Sequence, residues 1–117
     1  MTADIALFSY GTLQVREVQL AKYGRLLEGA PDALLGYRLE VLPDRDRDAV
    51  RISGTKTHKV VRPTGDLSDR VPGVVFLLTE EELGATDQYE GSDYGRAELT
   101  LESGRRAFVY IEPANRP

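Results

Sequence analysis

The chain has 117 residues, 41% hydrophobic and 29% charged, the size and proportions of one ordinary globular domain spanning 1–117. It contains no Cys, no Trp, one Met and a single His, His58, which excludes disulfides, thiol nucleophiles, Cys-bound zinc and multi-His metal sites, so no metal and no cofactor are expected. With 15 Lys+Arg against 19 Asp+Glu the formal net charge is -4, and a chain without a global positive field is expected to have no nucleic-acid partner and no anionic-membrane partner.

The N-terminal Met1-Thr2-Ala3-Asp4 lacks the basic-then-apolar order of a signal peptide, and no run approaches a transmembrane length, so the expected location is cytoplasmic. Residues 5–10 form an apolar, aromatic run that breaks at Gly11-Thr12, as a buried strand does on entering a tight turn. Good helix formers over 15–22 predict a short helix with irregular apolar spacing. Residues 34–41 alternate after Gly36, placing Tyr37, Leu39 and Val41 on one face of a strand, and the polar 43–57 stretch reads as a loop. A short strand is expected over 59–62, ending at Pro63, and Pro72-Gly73 opens 74–78, an apolar run of the kind buried on both faces.

Thr79-Glu80-Glu81-Glu82 is a capping box with three acids at the positive end of the helix that follows, which should run to Tyr89 or Glu90 and stop at Gly91. Two alternating strands, 97–101 and 106–111, joined through 102–105, predict a terminal hairpin. The elements add up to an α+β domain, mainly β with about two helices.

Asp44-Arg45-Asp46-Arg47-Asp48 begins like a calcium loop, but Ala49 stands where the sharp turn needs Gly and Thr55 where the bidentate Glu should be, so it reads as a solvated charged loop. His58 lies beside Lys59 and has no G-x-S-x-G serine to serve, which suits a surface or pairing residue. Tyr10-Gly11-Thr12-Leu13 can be a nest of converging backbone amides for an anion, or a plain strand-to-helix turn with Thr12 as N-cap. Leu83, Asp87 and Glu90 share one helical stripe at i, i+4 and i+7. A carboxylate in the last turn, near the negative end of the helix dipole and partly buried, should have a raised pKa, the setting of a general acid/base. The competing reading pairs Asp87 or Glu90 with an arginine such as Arg96. Tyr94 and Tyr110 are either pocket-lining hydroxyls or core-edge packing.

Together, Tyr10-Gly11-Thr12-Leu13, Asp87-Gln88-Tyr89-Glu90-Gly91, Tyr94-x-Arg96 and Tyr110 resemble the γ-glutamylcyclotransferase-like family, in order and spacing from about Ile5 to Ile111. Leu35-Gly36-Tyr37-Arg38-Leu39, Val71-Pro72-Gly73-Val74 and Glu81-Glu82-Leu83 add to the match. The resemblance implies a small mixed β-barrel with about two packed helices and an enzyme that cyclises a γ-glutamyl group to 5-oxoproline with release of an amine, as in glutathione metabolism. It implies Glu90 as the catalytic acid/base, Tyr10, Gly11, Thr12 and Leu13 as the substrate-holding loop, Tyr110 as a pocket wall, and Tyr94 and Arg96 as its rim. The expected partner is a small γ-glutamyl substrate and the expected state a monomer or small homo-oligomer. Two departures from the family, Thr86 for Leu and Thr57-His58 for Tyr-Pro, bear on packing. The non-enzymatic alternatives are a carboxylate-metabolite binding module on the same fold and a protein-interaction domain.

Overall fold

The computed structural model describes residues 3–43, 57–91 and 94–111, with side chains at 42, 43, 57 and 58 outside that description. The 44–56 segment considered above for calcium, and the His58 side chain, therefore lie outside the described residues. Strand β1 (Ile5–Ser9) enters a 3-10 turn (Thr12–Gln14) and helix α1 (Arg16–Tyr23). Strands β2 (Gly29–Leu35), β3 (Tyr37–Pro43), β4 (Thr57–Pro63) and β5 (Arg70–Leu78) follow, then helix α2 (Glu80–Glu90) and strands β6 (Gly95–Thr100) and β7 (Arg106–Ile111).

The main sheet has five strands in the order β2-β5-β1-β7-β6, and β3 and β4 form a separate two-stranded antiparallel ribbon. The fold is the expected α+β class with a mixed sheet, because β1 pairs parallel with β7 and antiparallel with β5. Its ladders run as an open series among the described residues, since β3 and β4 pair with each other.

The apolar runs of β1 and β7 are buried on both faces because the sheet separates two cores. Phe8, Leu34, Val61, Val71, Val75, Val109 and Ile111 fill one side, and Leu7, Leu13, Val18, Leu78, Leu83, Tyr89 and Tyr110 fill the helix-covered side. The single strand expected over 34–41 is two strands, β2 and β3, bent apart at Gly36. Its φ of 81° suits glycine, and its N–H and C=O bond Asp69 O and Thr64 N. Pro31 sits in β2 without cost because β2 is an edge strand. Leu39 and Val41 are exposed at 42% and 59%. The ribbon therefore buries only the Tyr37 end of the apolar face that alternation assigns to β3.

Helix α1 explains its own irregular pattern: Gln19 is buried with Val18, whereas Leu20 faces outward. The capping box of α2 forms as expected, with the Glu82 amide donating to Thr79 Oγ1 and the Thr79 amide to Glu82 Oε1. Its buried stripe is corrected by the structure. Leu83, Thr86 and Tyr89 face inward, and Asp87 and Glu90 flank them half-buried. Thr86 can be wholly buried because its hydroxyl donates to Glu82 O at 2.8 Å and meets the Tyr23 hydroxyl at 2.5 Å.

Candidate active site

Parallel strands end at the same edge of a sheet. With Phe8 opposite Val109, the ends of β1 and β7 bring Ser9 and Tyr10 beside Tyr110; α2 packs on Tyr110 on the helix-covered side, while the Tyr10 side chain belongs to the opposite core. The Tyr10 hydroxyl donates to Tyr110 O at 2.5 Å, locking the two strand ends together.

The turn after Tyr10 is braced from several directions. Gln14 Nε2 donates to Ser9 O at 2.7 Å, the Gly11 amide donates to Ser9 Oγ at 3.3 Å, and buried Gln19 donates to Leu13 O at 2.8 Å while accepting from the Leu27 amide. Thr12 does not cap the helix: its hydroxyl bonds that of Tyr89 at 2.7 Å, Gly11 precedes the 3-10 turn, and the N-cap of α1 is Val15, with no side-chain bond at either position. The leading N–H groups of a helical turn have no partners within it, here those of Thr12 and Leu13. Nothing lies within 4 Å of where a Cβ on Gly11 would stand, so the backbone there is open to close approach.

The two acids of α2 have different surroundings. Asp87 accepts both Arg96 Nε at 2.7 Å and Arg96 Nη2 at 3.0 Å, and also accepts from the Tyr110 hydroxyl at 2.5 Å. The competing sequence reading, an acid paired with Arg96, holds for Asp87. Arg96 is thus engaged with α2 and stacks 5.0 Å over the Phe108 ring. Tyr94 donates to Lys59 O at 2.9 Å, tying the start of β6 to β4.

Glu90 is half-buried in the last turn of α2. Burial, with the charges of Glu90 and Glu82 adding, pushes the Tyr23 phenol up to about 12 although its bond to Thr86 opposes the rise. Burial, the bond to Asp87 and the charges of Asp87 and Glu90 likewise raise the Tyr110 phenol. The Glu90 charge is thus felt at the hydroxyls of Tyr23 on α1 and Tyr110 on β7, as a lesser contribution beside burial. Tyr89, Gln19, Ser9 and Gln14 belong to the corner formed by the 10–13 turn, α2 and β7. Sequence reasoning missed them; only the placement of Tyr89 directly before Glu90 on a capped helix pointed to one.

The model of the family described as gamma-glutamyl cyclotransferase, AIG2-like, matches residues 7–117. The chain belongs to this family. No curated protein sequence matches it. Among solved structures, the family fold recurs in an Arabidopsis thaliana protein solved in solution, with TM-score 0.75 and 20% identity over 99% of this chain and 73% of that one. A structure named gamma-glutamyl cyclotransferase aligns with TM-score 0.69 and 16% identity over 92% of this chain and 66% of that chain. An uncharacterized Pyrococcus horikoshii protein gives TM-score 0.65 and 16% identity over 97% and 82% of the two chains. At these identities the likeness is one of fold. Among the described residues no helix is long and apolar enough to cross a membrane.

Proposed function

We propose that this protein is a γ-glutamylcyclotransferase-type enzyme that closes the γ-glutamyl group of an amine, amino acid or peptide conjugate to 5-oxoproline and releases the amine, with Glu90 as general acid/base. The observation that carries this reading is the family match over residues 7–117, with Glu90 half-buried in the last turn of α2 beside Asp87, which Arg96 and Tyr110 hold.

The reaction suits a chain without Cys and with one His. The α-amine of the substrate attacks its own γ-carbonyl, forming the ring C–N bond, and collapse of the tetrahedral intermediate breaks the C–N bond to the leaving amine. The nucleophile belongs to the substrate, and holding it in the closing conformation supplies about 7–11 kcal/mol through proximity. Glu90 as carboxylate takes a proton from the α-ammonium and as carboxylic acid delivers one to the departing nitrogen. The Thr12 and Leu13 amides are oriented donors for the oxyanion or the α-carboxylate. The open backbone at Gly11 admits the glutamyl chain.

The test is 5-oxoproline and amine release from a mixed γ-glutamyl panel, read by mass spectrometry. Glu90→Gln should lower turnover by about 10²–10⁴-fold with binding retained, the size of a lost acid/base. Asp87→Asn should lower kcat less than about tenfold. Wild-type-like turnover in Glu90→Gln, or a loss in folded Asp87→Asn matching that expected of Glu90, overturns the assignment. No product from any panel member leaves a carboxylate-binding module on this fold.

A further inference from the structure

The register of the terminal hairpin puts Arg96 of β6 directly opposite Tyr110 of β7, with Phe108 two residues earlier on the same face. Arg96 lies over the Phe108 ring and holds both oxygens of Asp87, so the guanidinium plane is fixed from below by an aromatic face and from above by α2. A carboxylate in such a pair only accepts, so in the 2.5 Å contact with Asp87 it is the phenol of Tyr110 that donates. A phenol has one proton. Once it points at Asp87, the oxygen can offer any other group nothing but lone pairs.

Glu90 stands three residues beyond Asp87 on the same helix, hence on the neighbouring position of the surface that meets Tyr110. Burial and the Asp87 charge hold the phenol protonated. A carboxylate acceptor and a phenol acceptor side by side match a group with several N–H donors, and they repel an anion. In a γ-glutamyl compound that group is the α-ammonium.

We propose that Asp87 and Arg96 are positioning residues that fix Tyr110 as a hydrogen-bond acceptor for the α-ammonium of the substrate, beside Glu90. This rests on the cyclotransferase reading and says which end of the substrate faces β7. One ammonium N–H is shared with Tyr110 while another transfers its proton to Glu90, so the lone pair that appears on nitrogen is steered rather than free to rotate. The α-carboxylate is left to the 10–13 turn.

The inference is tested by binding in the Glu90→Gln background, where turnover is blocked, using a γ-glutamyl amide and its glutaryl counterpart, identical but for the missing α-amine. Calorimetry should show the γ-glutamyl compound bound at least about tenfold more tightly, as a hydrogen bond to a charged group implies. Adding Tyr110→Phe, which keeps the ring and its packing, should reduce that preference to less than about twofold with glutaryl affinity unchanged. Adding Asp87→Asn instead frees the phenol proton and should erode the preference in the same direction. In the otherwise wild-type enzyme Tyr110→Phe should raise KM more than it lowers kcat. A preference that survives Tyr110→Phe overturns the proposal while the cyclotransferase reading stands. Binding of neither compound, together with no 5-oxoproline from the wild-type chain, overturns both.

Discussion

Gln19 shows how one side chain can serve the site without touching substrate. Its amide nitrogen holds Leu13 O in a buried setting and its oxygen holds the part-buried Leu27 amide. Gln19→Leu leaves both backbone groups unpaired, and because each costs about 1–3 kcal/mol when buried, the variant should unfold at lower denaturant and bind substrate more weakly. Gly11→Ala should separate the two effects. The added methyl meets nothing in the protein, so stability should change by less than about 1 kcal/mol while KM rises, because the methyl occupies the open backbone face.

Tyr23 carries a pH signature. Its phenol rises from 10.0 to about 12, so the folded protein holds the proton more tightly than the unfolded chain. That contribution is complete below about pH 10 and disappears as pH climbs through about 12. The raised phenol of Tyr110 acts in the same sense. A plot of Tm against pH should therefore be flat near neutrality and fall above about pH 10, and Tyr23→Phe should make the fall shallower. An unchanged slope in that variant would show that the buried Tyr23 phenol does not carry it.

At the scale of elements, α2 is the piece whose start, length and stop are written locally. Thr79, Glu82 and Gly91 set both ends, and each works through bonds within its own turn. Thr79→Ala removes the cap, costing about 1 kcal/mol and about 4 °C in Tm. Because the C-terminal turn is held separately by the Asp87–Arg96–Tyr110 contacts, saturating kcat should stay near wild type. The strand β2 is the opposite case. Pro31 and the preceding Glu28-Gly29 carry turn chemistry, and only the neighbouring β5 makes them a strand.

At the scale of the molecule, the site depends on how closely β5 lies against the end of β1. A Cβ on Gly73 would run into Ser9 O, the same carbonyl that anchors Gln14 under the candidate loop, and into the Phe8 ring. Gly73→Ala should therefore cost at least the roughly 1–3 kcal/mol of overpacking and depress turnover as well, whereas Thr79→Ala affects stability alone. Equal losses of activity per degree of Tm in the two variants would refute this coupling.

The sequence by itself determined what short-range physics decides: the capped helix, the apolar strands β1, β5 and β7, the glycine stops, and a narrow chemical inventory without Cys and with one His. It also carried the ordered residues by which the family is legible. Only the tertiary structure decided that Asp87 is held by Arg96 and Tyr110. Arg96 is placed opposite Tyr110, and so within reach of Asp87, by pairing across a hairpin. The inward turn of Thr86 and Gln19 was likewise beyond local pattern, since a polar group is tolerated in a core only when a distant hydroxyl or carbonyl completes its hydrogen bonds. The fate of Leu39 and Val41 has the same cause: alternation names a face, but burial depends on whether another layer arrives to cover it.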